Sequence, residues 1–92
     1  MSNKGKKKVI EFLEVLQLRN KRSSDERVEK FLEEAFELVE NREYGIALEN
    51  ILENLYEYSI SINEELLELA KEAIQIMKMN WKDWECINEL VE

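Results

Sequence analysis

The sequence has no histidine, no proline, one cysteine and two glycines among its 92 residues. Without histidine the chain lacks the commonest general base and metal ligand, which excludes Ser-His-Asp and Cys-His catalytic arrangements and histidine-containing zinc sites. A single cysteine, Cys86, excludes an intramolecular disulfide. The glycines, Gly5 and Gly45, are too far apart for a phosphate-binding loop. These absences favour a binding protein over an enzyme and predict no catalytic residues, no metal site and no cofactor.

Acidic residues outnumber basic ones by 21 to 13, which gives a formal net charge of −8. The distribution is uneven. Residues 1–30 contain nine basic and five acidic side chains, whereas residues 31–92 contain four basic and 16 acidic side chains. An acidic body repels nucleic acids and anionic membranes and attracts cationic proteins at short range. We therefore expect a cationic protein partner, with no membrane contact and no direct contact with nucleic acid.

The lysine-rich start of the chain does not resemble a targeting signal. The segment 9–18 that follows it is interrupted by Glu11 and Glu14, so it is not the apolar region of a signal peptide. No stretch approaches the 18 apolar residues of a membrane span. A lone cysteine without an export signal favours a cytoplasmic location. Because lysines oppose the positive end of a helix dipole, residues 1–6 are predicted to be a disordered basic tail.

The remainder, residues 7–92, reads as one helical domain. Apolar residues recur at helical spacing, sustained strand alternation is absent, and few helix breakers interrupt the pattern. Ser24 and Ser61 are expected N-caps, the latter in a capping box, and Asn80 opens a short last helix. The predicted fold is an all-α, single-domain bundle of four to five short helices. The longer helices are expected over residues 7–18, 24–40, 44–58 and 64–79.

Two rows of glutamates follow the outer faces of the second and third predicted helices. Like charges four residues apart destabilise a helix by a few tenths of a kcal/mol, and in the third helix no lysine follows at that spacing to relieve them. A cationic partner would gain fast association from such rows, and Tyr56 beside them would supply an aromatic anchor. The alternative is general solubilising charge. The candidate partner-binding residues are Glu33, Glu37, Glu40, Glu49, Asn50, Glu53, Tyr56 and Glu57.

A second hypothesis uses the basic start of the chain to bind phosphates, as in a regulatory nucleic-acid-binding protein. Apart from Phe12, which is expected in the core, no aromatic residue lies among the basic ones, and the later helices are acidic. A solvated tail is therefore favoured. A third hypothesis is a helical adaptor or homodimer that associates through exposed apolar residues such as Ile46; the oligomeric state stays open. The basic residues concerned are Lys4, Lys6, Lys7, Lys8, Arg19, Lys21 and Arg22.

Residues 43–58, EYGIALENILENLYEY, resemble the central signature of the MafI-type immunity proteins. That pattern runs Glu-x-Gly-Ile-Ala-Leu-Glu, then Leu-Tyr-Glu-Tyr, an x-Ile-Ser turn, another helix and a tryptophan-containing helix. Here the turn is Ile60-Ser61, and the final segment carries Trp81 and Trp84. The resemblance covers about residues 28–91, and the lysine-rich start departs from it.

The resemblance implies an all-helical cytoplasmic protein that binds and neutralises a cognate bacterial toxin domain of a polymorphic or contact-dependent growth inhibition system. Such toxins are often nucleases, EndoU-type ribonucleases among them. Nuclease domains that grip RNA carry a basic cleft. The resemblance and the charge pattern together lead to one hypothesis, in which the acidic face of the second and third helices blocks the substrate site of a basic toxin domain.

Overall fold

The computed structural model describes residues 3–92, which form four α-helices followed by two short 3₁₀ helices. Within these residues, β pairing is limited to one parallel bridge between Ile62 and Val91. The predicted all-α single-domain bundle is thus confirmed. The α-helices are α1 (Asn3–Ser23), α2 (Glu26–Glu40), α3 (Tyr44–Glu57) and α4 (Glu64–Ile76), and the 3₁₀ helices are Trp81–Asp83 and Glu85–Leu90.

One apolar core lies between the four helices. α2 packs along α3, α1 packs along α4, and α1 also contacts α2 and α3. Phe12, Leu48 and Leu66 are fully buried there, and Ile87 of the second 3₁₀ helix closes the core from the C-terminal side. Burial of each such side chain contributes about 1.5–3 kcal/mol to the free energy of unfolding. Every helix is therefore fixed by an apolar stripe that faces the others.

The N-terminal segment is helical from Asn3, which corrects the prediction of a disordered tail over residues 1–6. In the described residues α1 begins at Asn3 and runs on to Ser23, beyond the expected range of 7–18. Gly5 is buried, the Nζ atom of Lys6 lies 5.8 Å from the centre of the Tyr44 ring, and Val9 is in the core. This packing outweighs the unfavourable helix-dipole interaction, which is worth about 1 kcal/mol or less per charge. Residues 1 and 2 lie outside the described residues.

Neither serine that the sequence pattern favours caps a helix. The N-cap of α2 is Asp25, whose side chain accepts a hydrogen bond from the Arg27 N–H at 2.9 Å, because Ser24 has a φ of 53° and ends the preceding helix. The N-cap of α4 is Asn63, whose Oδ1 accepts from the Leu66 N–H at 2.9 Å. Ser61 lies before the bridge at Ile62, which keeps the chain extended up to residue 63.

Like α1 at Ser24, the other three α-helices end at a residue other than glycine with left-handed backbone. These residues are Arg42, Ser59 and Lys78, with φ values of 62°, 52° and 58°. After α3, the Ser59 N–H donates to the Tyr56 carbonyl and the Ile60 N–H to the Leu55 carbonyl, the paired bonds of a Schellman motif. The corresponding bonds are present after α2 and α4. This geometry ends α4 at Ile76 rather than at the predicted Met79.

Candidate partner-binding surface

The outer face of α3 combines acidic and apolar exposure. Glu49, Glu53 and Glu57 are all exposed, and a four-residue spacing advances only about 40° around a helix, so they form one stripe. Ile46 and Tyr56 on the same side are 51% and 42% exposed, although both are large apolar side chains. We call these five residues the α3 face. Asn50, predicted beside them, is half-buried at its edge.

The glutamates predicted on α2 are also exposed, but they lie elsewhere. Glu33, Glu37 and Glu40 border a groove between α2 and the C-terminal half of α1, which contributes Gln17 and Lys21 to the same groove. Tyr56 and Glu57 of α3 instead border a shallow groove beside the C-terminal segment. Glu57 is the member of the α3 row that borders this second groove, so the two rows do not line one common groove.

The packing of α2 on α3 explains this divergence. The Phe31 ring faces α3, because its centre lies 5.3 Å from that of Tyr58. Glu33 follows two residues later on the same helix, about 160° around its axis. The α2 row thus points away from α3 and does not extend the α3 face, so the expected single surface formed by both rows divides into two. Tyr58 itself is 47% exposed despite this ring contact.

The glutamates of both rows form no ion pair with another described residue. The ion pairs recorded among residues 4–92 join Lys8 to Glu11 and Glu72, Arg19 to Glu92, Arg27 to Asp25, and Lys71 to Glu68. None of these pairs includes a glutamate of either row. In addition, α3 contains three glutamates and no basic residue, so its face carries the charge of one sign only.

The basic residues of α1 are partly engaged inside the protein. The Lys8 Nζ lies 3.1 Å from a Glu11 carboxylate oxygen and 3.3 Å from one of Glu72, and these hydrogen bonds raise the pKa of Lys8 above its ordinary value. Arg19 contacts the Glu92 carboxylate at 3.3 Å. Part of the proposed phosphate-binding set therefore connects α1 to α4 and to the C-terminal segment.

Two features of the structure were not evident from the sequence. Leu18 is 62% exposed at the rim of a groove that also contains Ile60 and Arg22. Helical spacing contained this signal, because Leu18 lies about 160° from the buried Leu16. The other feature is Asn20, the buried polar residue of the core, whose side chain binds the backbone of the α1–α2 turn. A polar residue in a basic stretch carries no pattern that reveals such a role.

Residues 4–92 bring together no group of three histidine, cysteine, aspartate or glutamate side chains suited to a metal ion. None of the helices in the described part of the chain has both the length and the apolar character needed to cross a membrane. The chain matches no protein-family profile, no curated protein and no solved structure at a significant level.

Proposed function

We propose that this protein is an immunity protein that binds and neutralises a basic toxin domain, a nuclease, through the α3 face. The observation that carries the proposal is the composition of that face. Its three exposed glutamates form no ion pair with another described residue, and they lie beside two exposed apolar side chains, Ile46 and Tyr56. Protein interfaces use this combination, in which an aromatic anchor supplies affinity and surrounding charges supply orientation and rapid association.

The mechanism is occlusion of a cationic cleft. A nuclease cleft presents lysine and arginine side chains to the phosphates of its substrate. The α3 carboxylates would take the place of those phosphates, while Tyr56 packs against the toxin surface and the bulk of the bundle excludes the nucleic acid. Such a complex forms quickly at low ionic strength, and its association rate falls as salt screens the opposed charges.

The positions of the signature residues are consistent with this proposal, because some of them are buried and others are exposed. Ala47, Leu48 and Leu55 of the motif are buried and hold α3 in the bundle, whereas Glu49 and Glu57 are exposed. The resemblance to MafI-type immunity proteins thus involves both core and surface positions. By the proposal, the protein acts in the cytoplasm of the cell that produces it and protects that cell from a toxin of contact-dependent growth inhibition.

Co-expression tests the proposal directly. The toxin domain encoded beside this gene would be induced in a bacterial host with and without this protein. Restored growth, together with co-purification of the two chains, is the expected result. Growth arrest despite full expression of this protein would contradict the proposal.

The competing hypothesis, a nucleic-acid-binding protein that uses α1, needs a test that preserves the fold. Deleting residues 1–22 would remove Val9, Phe12 and Leu13 from the core, so charge reversal of the exposed Lys6 and Lys7 is preferable. A gel shift with RNA or DNA that disappears in this variant would favour that hypothesis over the toxin-binding one.

A further inference from the structure

Both glycines of the chain lie against the same side chain, that of Met77. A Cβ atom built on Gly5 would lie 2.7 Å from the Met77 sulfur, and one built on Gly45 would lie 3.6 Å from its terminal methyl carbon. Neither glycine has a positive φ, so backbone conformation does not require them. At position 5 the requirement is space, because the thioether occupies the volume that a β-carbon would need.

Met77 consequently links three helices. It is the C-cap residue of α4, its sulfur contacts the first turns of α1 at Gly5, and its methyl group approaches the first turn of α3 at Gly45. An unbranched, flexible thioether suits a slot between two helix backbones. The side chain is only partly buried, so small solutes can reach it from the surface.

We propose that Met77 is an oxidation site for hydroperoxides and that its conversion to the sulfoxide releases the first turns of α1 from the bundle. The sulfur lone pair attacks one peroxide oxygen, forming the S–O bond as the O–O bond breaks. Sulfur loses two electrons, the peroxide is reduced, and the proton on the transferred oxygen passes to the leaving oxygen. Hydrogen peroxide thus yields the sulfoxide and one water molecule.

The contact geometry explains why oxidation acts on α1. The sulfur and Gly5 are already at packing distance, which leaves no room for an added oxygen on that side. Burying the polar sulfoxide against a helix backbone is also unfavourable, and the group turns towards water. The contacts that remain in this segment include the Lys8–Glu72 ion pair and the Lys6–Tyr44 cation–π contact. Such exposed pairs contribute little.

The test uses the full chain carrying Cys86→Ala, so that thiol oxidation does not contribute. The protein is treated with hydrogen peroxide, the oxidised methionines are located by peptide mass spectrometry, and amide exchange is measured along α1. Because the first four N–H groups of a helix lack intrahelical acceptors, the informative amides are those of residues 7–9. We expect their exchange to rise about tenfold or more once Met77 is oxidised, while exchange in α2 is unchanged. Methionine sulfoxide reductase should reverse the effect.

Two variants separate the two neighbouring methionines. Met79→Leu should behave as the parent protein, whereas Met77→Leu should abolish the response to peroxide. If Met77→Leu folds poorly, the parent protein before oxidation, after oxidation and after enzymatic reduction still tests the proposal. Oxidation of Met77 without faster exchange in residues 7–9 would overturn it, as would a Met77 that stays reduced under conditions that oxidise Met79.

Discussion

The side-chain amide of Asn20 forms hydrogen bonds with both the N–H and the carbonyl group of Asp25. The Asn20 Nδ2 donates to the Asp25 carbonyl oxygen at 3.0 Å, and the Asn20 Oδ1 accepts from the Asp25 N–H at 3.2 Å. The Ser23 hydroxyl adds a third bond to the same Oδ1 at 3.1 Å. Asn20 is only 6% exposed. One buried amide therefore fixes the turn between α1 and α2 and places Asp25 as the N-cap.

Replacing Asn20 with alanine should destabilise the protein. Asn20→Ala leaves the Asp25 N–H and carbonyl without these partners, and loss of such buried bonds lowers the free energy of unfolding by about 2 kcal/mol. Gln17→Ala, an exposed position on the same helix, should change it by less than about 0.5 kcal/mol. Urea unfolding of both variants measures the difference. Equal stabilities would contradict the role given to Asn20.

Glycine at the left-handed helix ends should stabilise the bundle. Ser59→Gly and Lys78→Gly remove the strain of a Cβ atom at positive φ, with a gain of about 0.5–1 kcal/mol each. Ser61→Gly is the matched control, because position 61 has no positive φ and glycine there only increases the entropy of the unfolded chain. Thermal unfolding should therefore place the first two variants above the parent protein and the control below it. The reverse order would contradict the assignment.

The two existing glycines should respond differently to alanine. Gly45→Ala meets only an ordinary contact with Met77, whereas Gly5→Ala forces the Met77 sulfur to move. Both variants gain helix propensity, so the difference between them reports the contact. Gly45→Ala should be more stable than Gly5→Ala by about 1–2 kcal/mol, as judged by chemical unfolding. That difference should shrink when Met77 is replaced by alanine, since the crowding atom is then gone.

Acid should weaken the α2 N-cap. The hydrogen bond from the Arg27 guanidinium to Asp25, at 2.9 Å, lowers the pKa of the Asp25 carboxyl. A carboxyl with a lower pKa in the folded state stabilises the protein above its unfolded pKa of about 4, and this contribution is lost as the pH falls through the folded value. Asp25→Asn keeps a capping side chain but cannot titrate. The stability advantage of the parent over this variant should therefore fall between neutral pH and strong acid.

The helical spacing predicted the architecture because burial follows periodicity. Val28, Phe31, Leu32 and Ala35 of α2 lie in the core as the pattern indicates. The helix ends were harder to predict, since Arg42, Ser59 and Lys78 occupy positions that glycine usually marks. Local rules favoured Ser24 as the N-cap of α2, but the hydrogen bonds of Asn20 to Asp25 place Asp25 there instead. Local rules also favoured a disordered start, but Gly5 packs against Met77 and the helix begins at Asn3.

For the candidate site, the sequence predicted which glutamates share one face of a helix. It did not predict the directions in which the α2 and α3 rows point relative to each other. That relationship depends on which side of α2 packs against α3, which the Phe31–Tyr58 contact reveals. The periodicity of a single helix does not reveal this relationship, because it gives positions around that helix axis only and not the orientation of one helix relative to the next. The expected single acidic surface is therefore two separate surfaces, and of these the α3 face also carries the exposed apolar residues Ile46 and Tyr56.

The proposed binding of a basic toxin domain to the α3 face is tested most directly by the affinity of that complex. The measurement compares Glu49→Lys/Glu53→Lys/Glu57→Lys with the matched triple variant Glu33→Lys/Glu37→Lys/Glu40→Lys, which makes the same change in net charge on α2. We predict that the α3 variant raises the dissociation constant about 100-fold or more, with a slower and less salt-dependent association, while the α2 variant changes it by less than about tenfold. Unchanged affinity of a folded α3 variant, or a larger loss in the α2 variant, would contradict the account.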